Sequence, residues 1–255
     1  MKLEILNAQG KTLRTYASTD PVRTPDPATD PVAYNKLCQQ TPTAPDCGLP
    51  LYWPAPPQVL RTTAGMHRFS WDMHYDPIPG GAGGGRGGGG GAVPHRTYPA
   101  VASPWVAPGS YTVRLTANGK TLTQPITVKM DPRVKVTPEV QRIFTLTAQM
   151  EANARIAADA YKQARELTAK LKARPQSAAN DALIKQLEDI APEETGNLAS
   201  IGSQMVASVM GMQGSELPPT AAALEACAQQ EASYTALMTK WSALKAKVNG
   251  PAPAR

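Results

Sequence analysis

The chain has 255 residues, enough for one large domain or for two modest domains that each bury a core. Its 20 Gly and 25 Pro residues make a share that is high for a packed globule but below the level that indicates wholesale disorder. The formal net charge is +6, yet the basic residues stand singly rather than in runs, which argues against a nucleic-acid-binding surface.

The sequence predicts neither a membrane span nor a signal peptide. No apolar run reaches the roughly 20 residues that cross a bilayer. The opening Met-Lys-Leu-Glu-Ile-Leu carries a charge at Glu4 and continues into a polar turn, so it lacks the apolar core of a secretory signal.

The first predicted element is a β-hairpin over residues 2–17. Leu3 and Ile5 alternate with polar neighbours before a turn at Gly10. A long irregular loop rich in Pro, Asp and Thr follows over residues 19–61. Loops of this length inside a compact domain are usually functional or poorly ordered.

The cysteines suggest one local disulfide and one buried thiol. Cys38 and Cys47 lie nine residues apart in the Pro-rich loop, and Cys227 lies in a helical pattern. Cys38 and Cys47 are therefore the disulfide candidates. Such a disulfide would favour an oxidising compartment.

Between Met66 and Tyr75 the alternation returns, with Phe69 and Trp71 on the same face as Tyr75. This pattern predicts a core strand whose bulky side faces inward. A second irregular loop follows over residues 77–104, and its run of glycines is typical of a flexible spacer. A phosphate-binding loop would need Lys-Ser/Thr and a helix start directly after the glycines, which this sequence lacks.

Residues 110–130 give the clearest local signal. Two alternating segments flank Asn118-Gly119, and Asn-Gly supplies the two positive φ angles of a type I′ hairpin turn. Pro125 cannot donate to a strand ladder, so it predicts an edge strand or a bulge. With their long crossovers, about five strands predict an immunoglobulin- or fibronectin-like β-sandwich.

At Thr137 the apolar period changes from that of a strand to that of a helix. Thr137 as N-cap, Pro138 at the first helical position and Glu139 in the first turn form a helix start signal. Short connections make neighbouring helices antiparallel, so the segments predict an antiparallel helical bundle. The predicted helices span about 138–174, 181–190, 198–214 and 220–248.

Together these elements predict an α+β chain with two domains. Residues 1–135 form the β-sandwich with its long Pro/Gly-rich loops, residues 136–250 form the helical bundle, and residues 251–255 form a disordered tail. The change of period and the helix start at Thr137 fall at the same place, as expected at a domain boundary.

The carboxylates give no assembled catalytic site in the sequence. Asp72 is the carboxylate within the predicted core strand, and a lone strand carboxylate usually pairs with a cation such as Arg68 or Arg114. An Arg partner would lower the pKa of Asp72, the wrong direction for a general acid. Glu4 lies near the chain start, where order is often poor. We therefore predict no catalytic residue.

The histidines predict no metal centre. His67 and His74 fall on opposite faces of the predicted strand, so they cannot share a metal ion, and His95 lies in a loop. Cys227 is predicted to fill a core position rather than to act as a nucleophile. The sequence accordingly predicts no metal and no cofactor.

Three aromatic residues flanked by prolines are the predicted ligand or domain contacts: Tyr52, Trp53 and Trp105. Indole rings on rigid loops can stack on sugars or hold a neighbouring domain. They can equally close the open ends of a sandwich, and the sequence leaves both interpretations open.

Three stretches of the sequence together point to a protein family: Leu3-Glu4-Ile5-Leu6 with Gly10-Lys11, Ala64-Gly65-Met66-His67-Arg68-Phe69-Ser70-Trp71-Asp72, and Pro108-Gly109-Ser110-Tyr111-Thr112-Val113-Arg114-Leu115. Two shorter stretches extend the likeness: Thr123-Gln124-Pro125 and Val128-Lys129-Met130-Asp131-Pro132-Arg133-Val134. These stretches resemble the C-terminal region of large secreted bacterial proteins that carry Asp-box β-propellers. Those proteins are commonly labelled sortilin-like or glycosyl hydrolase BNR-repeat proteins.

The resemblance implies a non-catalytic accessory or scaffolding module of a secreted or periplasmic parent, with the parent's β-propellers as its partners. The propeller repeat signature Ser-x-Asp-x-Gly-x-Thr-Trp does not occur in this sequence, so the resemblance transfers no catalytic residue. Two alternatives stay open: a carbohydrate-binding module that uses Trp53 and Trp105, and a glycoside hydrolase domain that uses Asp72.

Overall fold

A computed structural model describes residues 1–20, 25, 30–40, 59–76, 78, 103–175, 177–192, 197–214 and 217–249. Within these residues the architecture is α+β, as predicted, with one four-stranded antiparallel sheet and five helices. The chain divides into two compact units. The described residues of Met1–Asp76 and Pro108–Asp131 form the sheet unit, and Ile78 with the described residues of Ser103–Ala107 and Pro132–Arg255 forms the helical unit.

The sheet unit contains four strands: β1 (Lys2–Leu6), β2 (Thr12–Ala17), β3 (Gly109–Ala117) and β4 (Lys120–Val128). Their spatial order is β2-β1-β3-β4, and every neighbouring pair is antiparallel. The predicted N-terminal hairpin is confirmed as β1 and β2, whose register shifts between Ile5 and Leu6.

The turn between β3 and β4 follows the sequence prediction. Asn118 and Gly119 have φ angles of 50° and 74°, and both are positive as a type I′ turn requires. Pro125 lies opposite Thr112 in β4, which is an edge strand of the sheet. The predicted edge position of this proline is therefore confirmed.

The prediction of a core strand between Met66 and Tyr75 is wrong. The segment is irregular apart from a bridge residue at His74, and Met66 is fully exposed. Met73 has a φ of 61°, in the left-handed region. A single residue in that conformation breaks the alternation of faces on which the prediction depends.

The same segment packs on the sheet through two aromatic side chains. Phe69 meets the ring of Tyr16 edge to face, with centroids 4.7 Å apart, and Trp71 meets Tyr111 at 5.8 Å. The strand register places Tyr16 and Tyr111 on one face of the sheet. Part of this face is therefore covered by an irregular segment rather than by the predicted core strand.

The prediction of an irregular loop over residues 19–61 is wrong in part, because helix α1 (Pro31–Gln40) lies within it. Asp30 begins the helix, since its Oδ1 accepts the Ala33 N–H at 3.0 Å. Pro31 at the first helical position costs no backbone hydrogen bond. The signal for this helix start, Asp-Pro, is present in the sequence.

The helical unit contains α2 (Pro138–Lys172), α3 (Ala178–Ile190), α4 (Asn197–Gln213) and α5 (Ala221–Asn249). The predicted start of α2 is confirmed, because the Thr137 hydroxyl accepts the Val140 N–H at 3.3 Å. Ser177 caps α3 in the same way. None of the described helices combines the length and apolar character needed to cross a membrane.

Two apolar clusters hold these helices together. The first joins α2 and α4 and includes Cys227 of α5, and the second buries Trp241 of α5 between α2 and α3. The approach of α4 to α2 is close at Gly202, where an ideal Cβ would lie 3.2 Å from the Ala154 carbonyl oxygen. Glycine at this position allows the two backbones to approach.

Candidate functional site

The predicted ligand-contact residues lie only partly within the described chain. Tyr52 and Trp53 are outside the described residues. Trp105 belongs to the helical unit, and 47% of its surface is exposed. Trp105 is therefore the member of the predicted set whose surroundings the structure describes.

One side chain of α4 fixes the backbone of Trp105. The Gln213 amide donates from Nε2 to the Trp105 carbonyl and accepts the Trp105 N–H on Oε1, both at 2.9 Å. The same Nε2 also donates to the Thr147 hydroxyl on α2 at 3.3 Å. Ser103 and Val106 are buried on either side. The indole is therefore presented from an immobilised backbone.

The cysteines have different environments. Cys38 of α1 is disulfide-bonded, and Cys47, its predicted partner, lies outside the described residues. Cys227 is free and buried in the first apolar cluster. Burial raises the pKa of the Cys227 thiol, so the group stays protonated and unreactive at neutral pH.

The prediction that Asp72 pairs with Arg68 or Arg114 is wrong. Asp72 Oδ1 accepts the His74 N–H at 3.1 Å, and its Oδ2 lies 3.6 Å from His74 Nδ1. Burial would raise the pKa of Asp72, but hydrogen bonds from the ring and backbone of His74 outweigh it, so the pKa is lowered. An ionised carboxylate cannot act as a general acid at neutral pH.

Asp76 ties the irregular segment to the outer edge of β2. Its N–H donates to the Leu13 carbonyl at 2.8 Å, and its Oδ1 accepts the Thr15 N–H at 3.1 Å. Arg14 lies 3.7 Å from the same carboxylate and donates to the Tyr75 carbonyl at 3.1 Å. The backbone groups of Leu13 and Thr15 at this sheet edge are therefore occupied.

Glu4 is buried, contrary to the expectation of a poorly ordered chain start, and only 5% of its surface is exposed. The β1–β3 register places it opposite Arg114, whose Nε donates to Oε2 at 2.9 Å. Lys2 Nζ lies 2.7 Å from Oε1. The hydrogen bonds from Arg114 and then Lys2 lower the pKa of Glu4 to about 2. This carboxylate has a structural role.

Each described histidine contacts a residue close to it in the chain. His67 Nε2 lies 2.7 Å from the Thr63 carbonyl oxygen, and His74 contacts Asp72. His95 lies outside the described residues. Across the described ranges, no group of three or more His, Cys, Asp or Glu side chains is placed to hold a metal ion.

Residues 61–68, called the Arg loop below, form an exposed loop of the sheet unit. Every residue in it is exposed, and Met66 is exposed completely. Gly65 makes the bend with a φ of 130°, which a side chain would strain, and the His67–Thr63 contact closes the loop. Leu60 is buried directly before it. The loop is thus exposed but held in shape.

Two arginines give this loop its charge. In the described part of the chain, neither Arg61 nor Arg68 makes an ion pair, and residues 59–71 contain no Asp or Glu. Elsewhere in the sheet unit, Glu4 and Asp76 are held by their own cations. The loop therefore presents two guanidinium groups without counter-ions beside an apolar side chain.

Sequence reasoning missed Gln213 and the Arg loop. A glutamine near the end of a helix carries no signal for a partner 108 residues away in the chain. The loop had a weak signal, because Thr-Thr-Ala-Gly before Met66 is typical of a turn. The alternation of aromatic residues after Met66 is a stronger pattern, and it predicts a strand instead of a loop.

Comparisons with known proteins add no contact or role to these residues. Family models, curated proteins and solved structures give no match for the chain. The arrangement of the described residues is therefore the basis for a functional proposal.

Proposed function

We propose that the chain is a non-catalytic accessory module that docks onto a neighbouring domain of a larger secreted or periplasmic parent. In this proposal residues 1–135 form an immunoglobulin- or fibronectin-like β-sandwich domain, and residues 136–250 form an antiparallel helical bundle. The antiparallel sheet and the two apolar clusters of helices support this organisation. The neighbouring domain is a β-propeller, as the sequence resemblance suggests.

The Arg loop is the observation that carries this proposal. Methionine and arginine are both enriched at protein interfaces, and aromatic or arginine side chains dominate their binding energy. Met66 would enter an apolar pocket of the partner while acidic groups around that pocket neutralise Arg61 and Arg68. The partner surface is therefore acidic, with an apolar centre.

The fixed shape of the Arg loop favours docking. Its C-terminal end is anchored where Phe69 packs on Tyr16, and its N-terminal end where Leu60 is buried. A loop that is ordered before binding loses less conformational entropy when it binds. More of the contact energy then contributes to affinity.

The described carboxylates support a non-catalytic role. A glycosidase needs one protonated carboxyl group and a second carboxylate within about 5 to 10 Å across a pocket. Asp72 has a lowered pKa and a histidine partner, and Glu4 is paired with Arg114. Asp72 holds a local turn at His74, and Glu4 links β1 to β3.

Carbohydrate binding through Trp105 is the second candidate, and the Gln213 contact favours it. A sugar ring stacks best on an indole whose position is set before binding, because less freedom is then lost. Trp53, the other indole of this prediction, lies outside the described residues.

Limited trypsin digestion tests the docking proposal. Arg61 and Arg68 are exposed in the isolated chain, so trypsin should cut rapidly at both. In the parent protein, purified from its source with an antibody against the helical unit, docking should protect both sites. Lys11 in the exposed β1–β2 turn is the control and should be cut equally in both samples. Peptide mass mapping measures the rates.

Two outcomes would contradict docking. One is an immunoblot of the source cells in which the antibody detects only a species of the chain's own mass, 27.1 kDa. The other is cleavage at Arg61 and Arg68 that is as fast in the parent as in the isolated chain.

Fluorescence titration with laminarin, xylan and galactomannan tests the carbohydrate candidate. Trp105→Ala should abolish binding, since it removes the stacking surface. Gln213→Leu keeps the ring but frees its backbone, so it should weaken binding roughly three- to tenfold. Asp72→Asn is the control and should bind normally. Binding that survives in Trp105→Ala, or no binding to any of the three polymers, would exclude this candidate.

A further inference from the structure

The nine methionines of the chain differ widely in exposure, and all of them lie within the described residues. Met66, next to the bend of the Arg loop, is 100% exposed, whereas Met73 is 47% exposed and Met1 is 37% exposed. In the isolated chain a dissolved reagent therefore reaches the whole side chain of Met66. The other methionines are partly or fully buried: Met130, Met150, Met205, Met210, Met212 and Met238.

The described cysteines are closed to an oxidant. Cys38 is already disulfide-bonded, and Cys227 is free but only 2% exposed. Burial also raises the pKa of the Cys227 thiol, so its reactive thiolate is scarce at neutral pH. A thioether reacts with a peroxide without ionising, so access to the sulfur decides its rate. Among the described sulfur atoms, that of Met66 is therefore the one on which a peroxide acts first.

Met66 contributes nothing to the packing of the sheet unit, because its side chain is fully exposed. The shape of the Arg loop comes from other groups. Gly65 makes the bend with a φ of 130°, and His67 Nε2 lies 2.7 Å from the Thr63 carbonyl oxygen. An oxygen atom added to a buried methionine would disrupt a core. Added to Met66, it changes the chemistry of the loop and leaves the fold in place.

We infer that Met66 is a site of reversible oxidation by peroxide, and that its sulfoxide prevents the Arg loop from docking. The oxidation step depends only on access to the thioether. The loss of docking rests on the function proposed above, in which Met66 enters an apolar pocket of the neighbouring domain.

The oxidation is a transfer of one oxygen atom with two electrons. A lone pair of the Met66 sulfur attacks one oxygen of hydrogen peroxide, so an S–O bond forms and the O–O bond breaks. The departing hydroxide takes the proton of the transferred hydroxyl and leaves as water. Sulfur loses two electrons, and the peroxide gains them. A dithiol reductase reverses the step by removing the oxygen as water, and its two thiols become a disulfide.

The sulfoxide changes the part of the Arg loop that enters the partner. A thioether on a flexible, unbranched side chain fits an apolar pocket well. A sulfoxide is polar, and moving it into such a pocket without a hydrogen-bond donor is unfavourable. Arg61 and Arg68 keep their charges, so only the apolar contact is lost. Docking should weaken at least about tenfold.

Treatment of the isolated chain with dilute hydrogen peroxide tests the oxidation site. Peptide mass mapping follows sulfoxide formation at each methionine over time. Met66 should react about two- to threefold faster than Met73, in line with their exposures of 100% and 47%, while buried Met150 stays reduced. Circular dichroism should not change when Met66 is fully oxidised. A rate at Met66 no greater than that at Met73 would overturn the inference.

Trypsin digestion of the parent tests the loss of docking, with Lys11 as the control site. Once Met66 is fully oxidised, cleavage at Arg61 and Arg68 should be at least about tenfold faster. Methionine sulfoxide reductase with dithiothreitol should restore protection. Met66→Leu, introduced into the gene of the parent, keeps an apolar side chain without sulfur, so protection should survive peroxide. Met73→Leu is the matched control and should still lose protection.

Failure of docking and failure of the oxidation switch appear in different samples. If trypsin cuts the untreated parent at Arg61 as fast as the isolated chain, docking is refuted, and its loss on oxidation is refuted with it. If the untreated parent is protected and peroxide leaves that protection intact, docking stands and the switch is wrong. The switch is also wrong if peroxide removes protection equally from Met66→Leu.

Discussion

Gly202→Leu is expected to destabilise the helical unit by about 2 to 3 kcal/mol. A Cβ at this position would lie 3.2 Å from the Ala154 carbonyl oxygen and 3.6 Å from its Cα. These are backbone atoms of α2, so they cannot rotate away, and the larger side chain must push α4 off α2. Urea unfolding followed by far-ultraviolet circular dichroism measures the loss.

Gly211 on the same helix provides the matched control. Nothing lies within 4 Å of the place that its Cβ would take. Gly211→Ala therefore exchanges a poor helix former for a good one without a clash and should stabilise by about 0.5 to 1 kcal/mol. An unfolding midpoint for Gly202→Leu equal to that of the unmodified chain would contradict the close α2–α4 contact.

Acid is expected to weaken the sheet unit through Glu4. The folded pKa is about 2, below the ordinary value of 4.5. Because the folded pKa is depressed, the stabilisation is complete above pH 4.5 and is lost as the pH falls from 4.5 through 2. The loss should be on the order of 1 to 2 kcal/mol, since water partly screens the exposed side chains of Lys2 and Arg114.

Hydrogen exchange read by mass spectrometry measures this effect separately in each unit. Amides of β1 and β3 should lose protection across that acid range, and Glu4→Gln should remove most of the pH dependence. Glu139→Gln is the control, because a hydrogen bond with Thr137 lowers the pKa of exposed Glu139 in the helical unit. Protection of β1 that stays constant down to pH 2 would refute the role given to Glu4.

Structure that depends on neighbouring residues could be predicted from the sequence. The cap at Thr137 depends on a bond to Val140, three residues on, and the turn at Asn118-Gly119 depends on two φ angles. The helices of the second unit followed from apolar periodicity, which is also a local property. These elements begin and end within a few residues of their predicted bounds.

Contacts between distant segments could not be predicted. Nothing local shows that Asp76 bonds to Thr15, 61 residues away, or that Gln213 holds Trp105. Met66 to Tyr75 has the composition of a strand, but Met73 turns left-handed where the segment meets the edge of β2. The lowered pKa of Asp72 agrees with prediction, although its partner is His74 rather than an arginine.

The sequence could predict the type of residue at a candidate site but not its surroundings. An exposed tryptophan between prolines could be named from the sequence, because its flanking residues mark a loop. The fixed backbone of this tryptophan could not be predicted, because it depends on how α4 lies against residues 103–107. The Arg loop could be identified only from the structure, because only the structure shows that its arginines lack acidic neighbours in the described chain.

Cys227 allows the opening of the helical unit to be measured chemically. Its surface is 2% exposed among α2 and α4 residues, so a thiol reagent can reach it only when α5 moves away. When closing is faster than the reaction, the labelling rate gives the free energy of that opening directly. Cys38 does not react with the reagent because it is disulfide-bonded. Partial detachment of α5 can thus be followed through this one thiol.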